Sequence, residues 1–260
     1  MDKKIDQIKA IFFDIDGTLA PMDGQIIDSA LSSLHKLHEK GYLVFLCTGR
    51  PYQFLHVFLD SVDFEFDGLV FLNGQRVVLR DKEIRSITLP ENEVKAGLRF
   101  IDQKHFCCNI HVGNETLTIP GDGEEHRIYH VPLADLDTLD YTKIFQISPF
   151  RLNAKEKEEL MKLMPSCDIT SWSDYGSDIV CKNSGKMEGM KFLLEDAGLT
   201  FDNVMAFGDG ENDVEMIKAA AIGVAMGNGL EAIREAADYI TERVENDGVF
   251  LALKNFGLIE

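Results

Sequence analysis

Short apolar runs alternate with helix-spaced apolar positions over the first eighty residues. "AIFF" (Ala10–Phe13) suits a buried strand. Ile26, Ile27, Ala30, Leu31, Leu34 and Leu37 then recur three and four apart, one face of a helix, with Gly41 placed to stop it. "YLVFLC" (42–47) reads as a second buried strand, "PYQFLHVFLD" (51–60) as a helix and "GLVFL" (68–72) as a third strand. Apolar strands separated by helices predict βαβ units and a parallel sheet covered on both faces.

From about Arg80 the texture changes. Strand-like pieces, "KIFQIS" (143–148), "CDIT" (167–170) and "SDIVC" (177–181), lie among charged segments, with helical patterns near 91–104 and 154–163. "DYGS" (174–177) is placed to turn a hairpin. After Lys186 the first texture returns, as helix "MEGMKFLLEDAGL", strand "NVMAF", a helix from Asn212, strand "AIGVAM" and helix "LEAIREAA". This order predicts one doubly wound, Rossmann-like α/β core, residues 1–80 and 184–260, interrupted by an α+β domain over 81–183.

Charge narrows the partners. A formal net charge of −18 over 260 residues argues against nucleic acid and anionic membrane, whose binding relies on Lys and Arg. A small anionic substrate stays open, because a bound cation can reverse the local sign. No apolar run approaches the length of a membrane span. The opening "MDKKIDQIKA" lacks the apolar stretch of a secretory signal. Five cysteines without CxxC spacing, only Cys107 and Cys108 adjacent, read as reduced thiols and a cytoplasmic setting. Oligomeric state is not readable from these features.

Four short segments carry candidate chemistry. "FFDIDGTLA" (12–20) ends an apolar run in Asp14 and Asp16, which share one side if the strand continues through both. Gly17 and Thr18 follow, and an ordinary Asp/Gly turn is the competing reading. "NVMAFGDGENDVEMI" repeats the pattern, crowding Asp209, Asn212 and Asp213 into a turn that also reads as a helix cap. Carboxylates at the ends of two parallel strands would face one crevice, where open α/β sheets bind ligands. A few oxygen ligands with no nitrogen or sulfur suit Mg²⁺. "FLCTGRP" ends another strand at Thr48, Gly49 and Arg50, with a hydroxyl and backbone N–H groups able to hold phosphate oxygens or to cap a helix. Lys186 opens a helix, where the macrodipole disfavours a cation. It can balance a phosphate or carboxylate, with Lys182 and Lys191 as rivals.

In this order "DIDGTLA", "TGR", Lys186 and "GDGENDVEM" closely resemble the four motifs of the haloacid dehalogenase superfamily. The tail "IGVAMGNGLEAIREAADYITERVENDGV" is similar to its Cof-type, class IIB branch. The resemblance covers the flanks, roughly 1–80 and 184–260, and implies that the insert is a cap of the C2B kind that sets specificity. One departure is that Met187, rather than glycine, follows the lysine, and Gly189 comes later. The resemblance implies an Mg²⁺-dependent phosphatase of small phosphorylated metabolites, sugar phosphates foremost, acting through an aspartyl-phosphate. Asp14 is then the nucleophile and Asp16 the proton donor and acceptor. Mg²⁺ would bind the Asp14 and Asp209 carboxylates and the Asp16 main-chain carbonyl. Asp213 and Asn212 would hold the metal's waters or orient Lys186. Thr48, with the Gly49 amide, Lys186 and Asn212, would bind the phosphoryl group. Two alternatives use the same residues: a phosphomutase, and a non-catalytic phospho-accepting signalling domain.

Other features read as structure. His35 and His38 sit on a charged helix face, and His105, His111, His126 and His130 are scattered through the insert. Asn73-Gly74 in "NGQRVV" is first a turn signal, and it resembles a family turn near substrate. Met161 and Met164 read as core filler.

Overall fold

The computed structural model describes residues 2–22, 24–122, 131–172 and 175–260. The chain divides into two compact units: Met1–Arg50 with Phe54–Arg85 and Gly185–Glu260, and Ser86–Ser184 with Pro51–Gln53.

The first unit opens with the single turn α1 (Asp2–Ile5) and strand β1 (Ala10–Phe13). It continues with α2 (Asp28–Glu39), β2 (Leu43–Cys47), α3 (Tyr52–Ser61), β3 (Gly68–Phe71), β4 (Arg76–Leu79) and β5 (Lys82–Ser86). After the insert come α6 (Lys186–Ala197), β11 (Val204–Gly208), α7 (Val214–Ala219), β12 (Ile222–Ala225), α8 (Glu231–Ala236), β13 (Tyr239–Ile240) and α9 (Gly248–Asn255). Among the described residues these strands form one sheet in the order β13-β12-β11-β1-β2-β3-β4-β5. The pairs from β13 through β3 are parallel, and β3–β4 is an antiparallel hairpin. The chain winds outward from β1 in both directions, so the β11–β1–β2 neighbourhood is its switch point.

Sequence pattern explains the layers. Every residue of β1 is buried, as expected of a strand covered on both faces. Phe12 stacks on Phe45 at 4.7 Å on one face, and Phe13 on Phe207 at 4.9 Å on the other. Phe12, Phe45 and Val70 join Met190, Leu193 and Leu194 of α6 in one core cluster. The sheet extends past residue 80 because β4 and β5 continue it, and neither was legible as a strand in the charged sequence around Arg80. Leu72, Asn73 and Gly74 all have positive φ, so the Asn-Gly signal does turn a hairpin.

The second unit contains α4 (Glu91–Gln103), β6 (Cys108–Val112), β7 (Glu115–Ile119), β8 (Ile144–Pro149), α5 (Ala154–Leu163), β9 (Cys167–Ser171) and β10 (Ser177–Cys181). Its antiparallel sheet runs β7-β6-β8-β10-β9. One face packs Cys108, Ile110, Ile147 and Ile179 against Val94 and Leu98 of α4, Leu160 of α5 and Met164 just beyond it. Met164 is fully buried and Met161 packs at the cluster's margin, as core filler should. Strands β6 and β7 were missed because their alternate positions are polar and carry no apolar run. Asp174, within the expected 174–177 turn, lies outside the described residues, while β9 and β10 pair as a hairpin requires. No helix among the described residues is long and apolar enough to cross a membrane.

Gly189 marks where α6 meets the sheet. A Cβ there would come within 2.4 Å of Val70 Cγ1 and 3.2 Å of Gly74 Cα. Alanine in place of a helical glycine normally gains up to about 1 kcal/mol, but overpacking costs about 1–3 kcal/mol. The clash wins: Gly189→Ala is expected to lower the urea midpoint of unfolding, and an unchanged or higher midpoint would show that α6 is loosely seated.

Candidate active site

β1, β2 and β11 lie side by side and end together, which brings their C-terminal turns to one edge of the sheet. β1 stops at Phe13 rather than running through both aspartates. The chain then folds on itself, with the N–H groups of Thr18, Leu19 and Ala20 all donating to the Ile15 carbonyl. The turn separates the two carboxylates, because Asp14 and Asp16 no longer share one face of a continuing strand. Asp14 is buried and accepts from the Lys186 ammonium at 2.7 Å. Asp16 instead takes a two-point hydrogen bond from Arg50, Nε to Oδ2 at 2.8 Å and Nη2 to Oδ1 at 2.6 Å.

Lys186 is 1% exposed, at the first position of α6. Its ammonium donates to Asp14 and, at 2.6 Å, to Asp213 Oδ1. Burial acts to discharge the amine, but the Asp14 and Asp213 carboxylates outweigh it and hold its pKa above the ordinary lysine value. The rivals are excluded by position: Lys191 pairs with Glu188 on the helix exterior, and Lys182 is exposed. Met187 is partly buried against the core, so the position after the lysine serves packing.

Asp213 is fully buried and its carboxylate is fully engaged. Oδ1 takes the lysine, and Oδ2 accepts from the N–H groups of Asp209 at 3.0 Å and Gly210 at 2.9 Å. Asp209 lies closest to the first turn. Gly17 has φ +80°, and a Cβ on it would sit 2.1 Å from Asp209 Oδ2, so only glycine lets these turns meet. Carboxylate oxygens of Asp14, Asp209 and Asp213 all lie within 4.8 Å of one another. Burial is the main force raising the Asp14 pKa, opposed by Lys186 and reinforced by Asp213, Asp209 and Asp16. Burial likewise lifts Asp209, with Asp213 and Asp16 adding to it against Lys186, to about 7. One ammonium does not neutralise three carboxylates, and oxygen donors of this kind suit a hard divalent cation.

The remaining candidates frame this cluster. The Thr48 hydroxyl, at the end of β2, accepts from the Arg50 N–H at 3.1 Å, and the Thr48 carbonyl accepts from the Asn73 N–H at 3.2 Å. Gly49 lies against Asn73, whose Oδ1 would be 3.1 Å from an added Cβ. Asn212 does not reach Lys186; its Nδ2 donates to Asn73 Oδ1 at 2.9 Å, so Asn73 braces two of the loops. Sequence reasoning missed Asn228. Its Nδ2 donates to the Gly17 carbonyl at 2.8 Å and Asp209 Oδ2 at 3.2 Å, while its Oδ1 accepts from the Val244 N–H. The only available signal was "GNG" after β12, an ordinary turn motif. Arg50 was read for its backbone, and its guanidinium partner was not foreseeable from spacing.

His35 and His38 pack on Phe64, and His38 bonds Asp67 at 2.9 Å, so they are held rather than merely solvated. His105 is an exposed turn residue with positive φ, and His126 and His130 lie outside the described residues. His111 belongs to the second unit's other sheet face. There Asn109 and His111 of β6 stand opposite Thr118 and Thr116 of β7, and Ser148 and Gln146 of β8, all buried and polar. Ser148 Oγ donates to Asp178 Oδ1 at 2.7 Å, so it accepts from His111 Nε2 at 3.0 Å, leaving His111 Nδ1 to accept from Thr116 at 3.1 Å. Burial drives the His111 pKa down to about 3, so this imidazole is neutral. Asn109 Oδ1 is buried with no hydrogen-bond partner among the described residues.

A family model described as haloacid dehalogenase-like hydrolase matches residues 11–253. The chain is 30% identical to the putative phosphatase YkrA of Bacillus subtilis, over 97% of this chain and 99% of that protein. It is 28% identical to the 5-amino-6-(5-phospho-D-ribitylamino)uracil phosphatase YcsE of Bacillus subtilis, over 96% of each chain. Among solved structures it is similar to the HAD subclass IIB sugar phosphatase BT4131, with a TM-score of 0.85 and 30% identity over 96% of this chain and 100% of that one.

The raised Asp209 pKa has a consequence for stability. Between the ordinary value of 3.8 and about 7, the folded protein holds a proton that the unfolded chain has released. Stability from this group is therefore full at low pH and lost as pH rises through about 7. In chelator, Tm is expected to fall from pH 5 to pH 8 more steeply in the wild type than in Asp209→Asn, whose amide does not titrate; parallel profiles by calorimetry would contradict the assignment.

Proposed function

Because the chain belongs to the haloacid dehalogenase-like hydrolases and is a phosphoric monoester hydrolase, we infer that it is an Mg²⁺-dependent phosphatase of small phosphorylated metabolites, acting through an aspartyl-phosphate on Asp14. The observation that carries this reading is the buried Lys186 ammonium clamped by Asp14 and Asp213 beside Asp209. A phosphate monoester is an anion, and a site of crowded carboxylates repels it unless cations compensate.

The residues divide the work. An Asp14 carboxylate oxygen forms a bond to phosphorus as the ester oxygen leaves with its electron pair. Asp16 gives that oxygen a proton, then takes one from the water that attacks phosphorus and frees Asp14 and inorganic phosphate. For the first transfer Asp16 must turn from Arg50, which returns to hold the carboxylate once the proton is gone. Thr48 and Lys186 donate hydrogen bonds to the phosphoryl oxygens, with the Gly49 N–H beside them, and Asn212 bounds the same pocket. The Asp14 and Asp209 carboxylates and the Asp16 main-chain carbonyl would hold magnesium, which would supply the positive charge that lets two anions approach. Asp213, its oxygens already engaged, orients Lys186 and the Asp209 turn from behind.

Specificity belongs to the second unit in this reading. Its polar sheet face carries acceptors, the Asn109 amide oxygen and the Asp178 carboxylate, beside a neutral imidazole. Such groups suit the hydroxyls of an uncharged sugar or polyol better than a second phosphate. A relative that acts on a phosphorylated ribityl compound and a similar structure that is a sugar phosphatase support the same class.

A panel of phosphate esters assayed with Mg²⁺ tests this. Inorganic phosphate is expected from monophosphates of uncharged polyhydroxy compounds, less from bisphosphates, and none after chelation. Asp14→Asn is expected to fold normally and lose at least about 10³-fold in kcat. Retained turnover would place the nucleophile elsewhere, and an isomerised phosphosugar without free phosphate, followed by NMR, would make the protein a mutase.

A further inference from the structure

Two of the cysteines face each other at the edge of the second unit's sheet. β9 and β10 run antiparallel with Cys167 directly opposite Cys181. The Lys182 N–H donates to the Ser166 carbonyl at 2.9 Å, and the Trp172 N–H to the Gly176 carbonyl at 3.3 Å. In this register each of those bonds joins residues that stand opposite one another, so the hydrogen-bonded pairs fall on Ser166–Lys182 and every second pair beyond it. Cys167–Cys181 is then a non-hydrogen-bonded pair, in which α-carbons lie about 4.5 Å apart and side chains approach most closely. A disulfide spans α-carbon separations of about 4.4–6.8 Å. Both sulfurs lie on the helix-covered face: Cys167 Sγ is 3.9 Å from Glu93 Oε2, and Cys181 Sγ is 3.3 Å from the Thr88 carbonyl. Cys108 is separated from them by β8, and Cys47 belongs to the other unit.

We propose that Cys167 and Cys181 are a modification site, forming a reversible disulfide on exposure to hydrogen peroxide. The Cys181 thiolate attacks one peroxide oxygen, the O–O bond breaks, and the departing hydroxide takes up a proton to leave as water, giving a sulfenic acid. The Cys167 sulfur then attacks the Cys181 sulfur, the S–O bond breaks, and a second water carries off the remaining thiol proton. Two thiols are oxidised and one peroxide is reduced to two waters. Both thiols are buried, and burial pushes Cys167 up to about 12, so the reaction proceeds through local opening. β9 is an edge strand, paired on one side only, and all of its residues except Cys167 are exposed or partly exposed, which makes this edge one that opens locally at low cost. Closing the bond ties the edge strand to its neighbour and constrains the unfolded chain.

The test uses the whole protein, treated with peroxide, denatured, alkylated and digested without reductant. Met22, 60% exposed, reports that the oxidant reached the protein by forming its sulfoxide. The expected result is a Cys167–Cys181 linked peptide, lost on treatment with dithiothreitol and absent from Cys167→Ser, with Cys47, Cys107 and Cys108 recovered alkylated. If Met22 is oxidised while Cys167 and Cys181 are recovered alkylated, over-oxidised or linked to other cysteines, the proposal is overturned.

Discussion

A buried ammonium between two carboxylates is the constraint around which the first unit is organised. Lys186 reaches Asp14 at 2.7 Å and Asp213 at 2.6 Å with almost no exposure to water. Three charges taken out of solvent are costly, and removing the ammonium, which would leave two buried carboxylates unpaired, costs about 3–5 kcal/mol. The arrangement therefore demands that the end of β1, the start of α6 and the turn after β11 arrive together. Parallel pairing of β1 with β11 delivers two of them, and the packing of α6 on β3 through Gly189 delivers the third.

The same cluster is left short of positive charge. Asp209 is pressed against the first turn, reached by Thr18 and Asn228 but, among the described residues, paired with no cation of its own. Its raised pKa and that of Asp14 express one condition: burial and mutual repulsion that hydrogen bonds only partly relieve. A stable fold with no further role would have little reason to hold acidic groups so close. Activity and stability pull in opposite directions here, as is common where a site is built to receive charge.

The two units answer different chemical demands. The first gathers full charges, suited to an anion and a cation. The second carries hydroxyls, amides, a neutral histidine and the single carboxylate of Asp178 on one sheet face, with its apolar residues turned to the helices. Alternation along β6 produces both faces at once: Cys108 and Ile110 point to the helices, Asn109 and His111 away from them.

Much of this was legible in the chain. The apolar runs of β1, β2, β3, β11 and β12 announced a parallel sheet, because strands covered on both faces have little room for polar side chains. The Asp-rich turns after β1 and β11 announced a site only together, because each alone also reads as a turn or helix cap, whereas carboxylates at the ends of two parallel strands face one crevice. β6 and β7 escaped, since strands with one polar face lack an apolar run, and β5 escaped because an edge strand tolerates charge. Side-chain pairing was beyond reach for a related reason. Spacing placed Asp14 and Asp16 two residues apart, but the turn at Ile15 sent one to Lys186 and the other to Arg50. Asn212 turned to Asn73, and Asn228 reached Asp209 from a distant turn. Local sequence determined which residues would stand at the strand ends, because periodicity and glycine act over a few positions. Only the tertiary structure decided which of them would touch, because those contacts join segments far apart in the chain and depend on how the sheet is ordered.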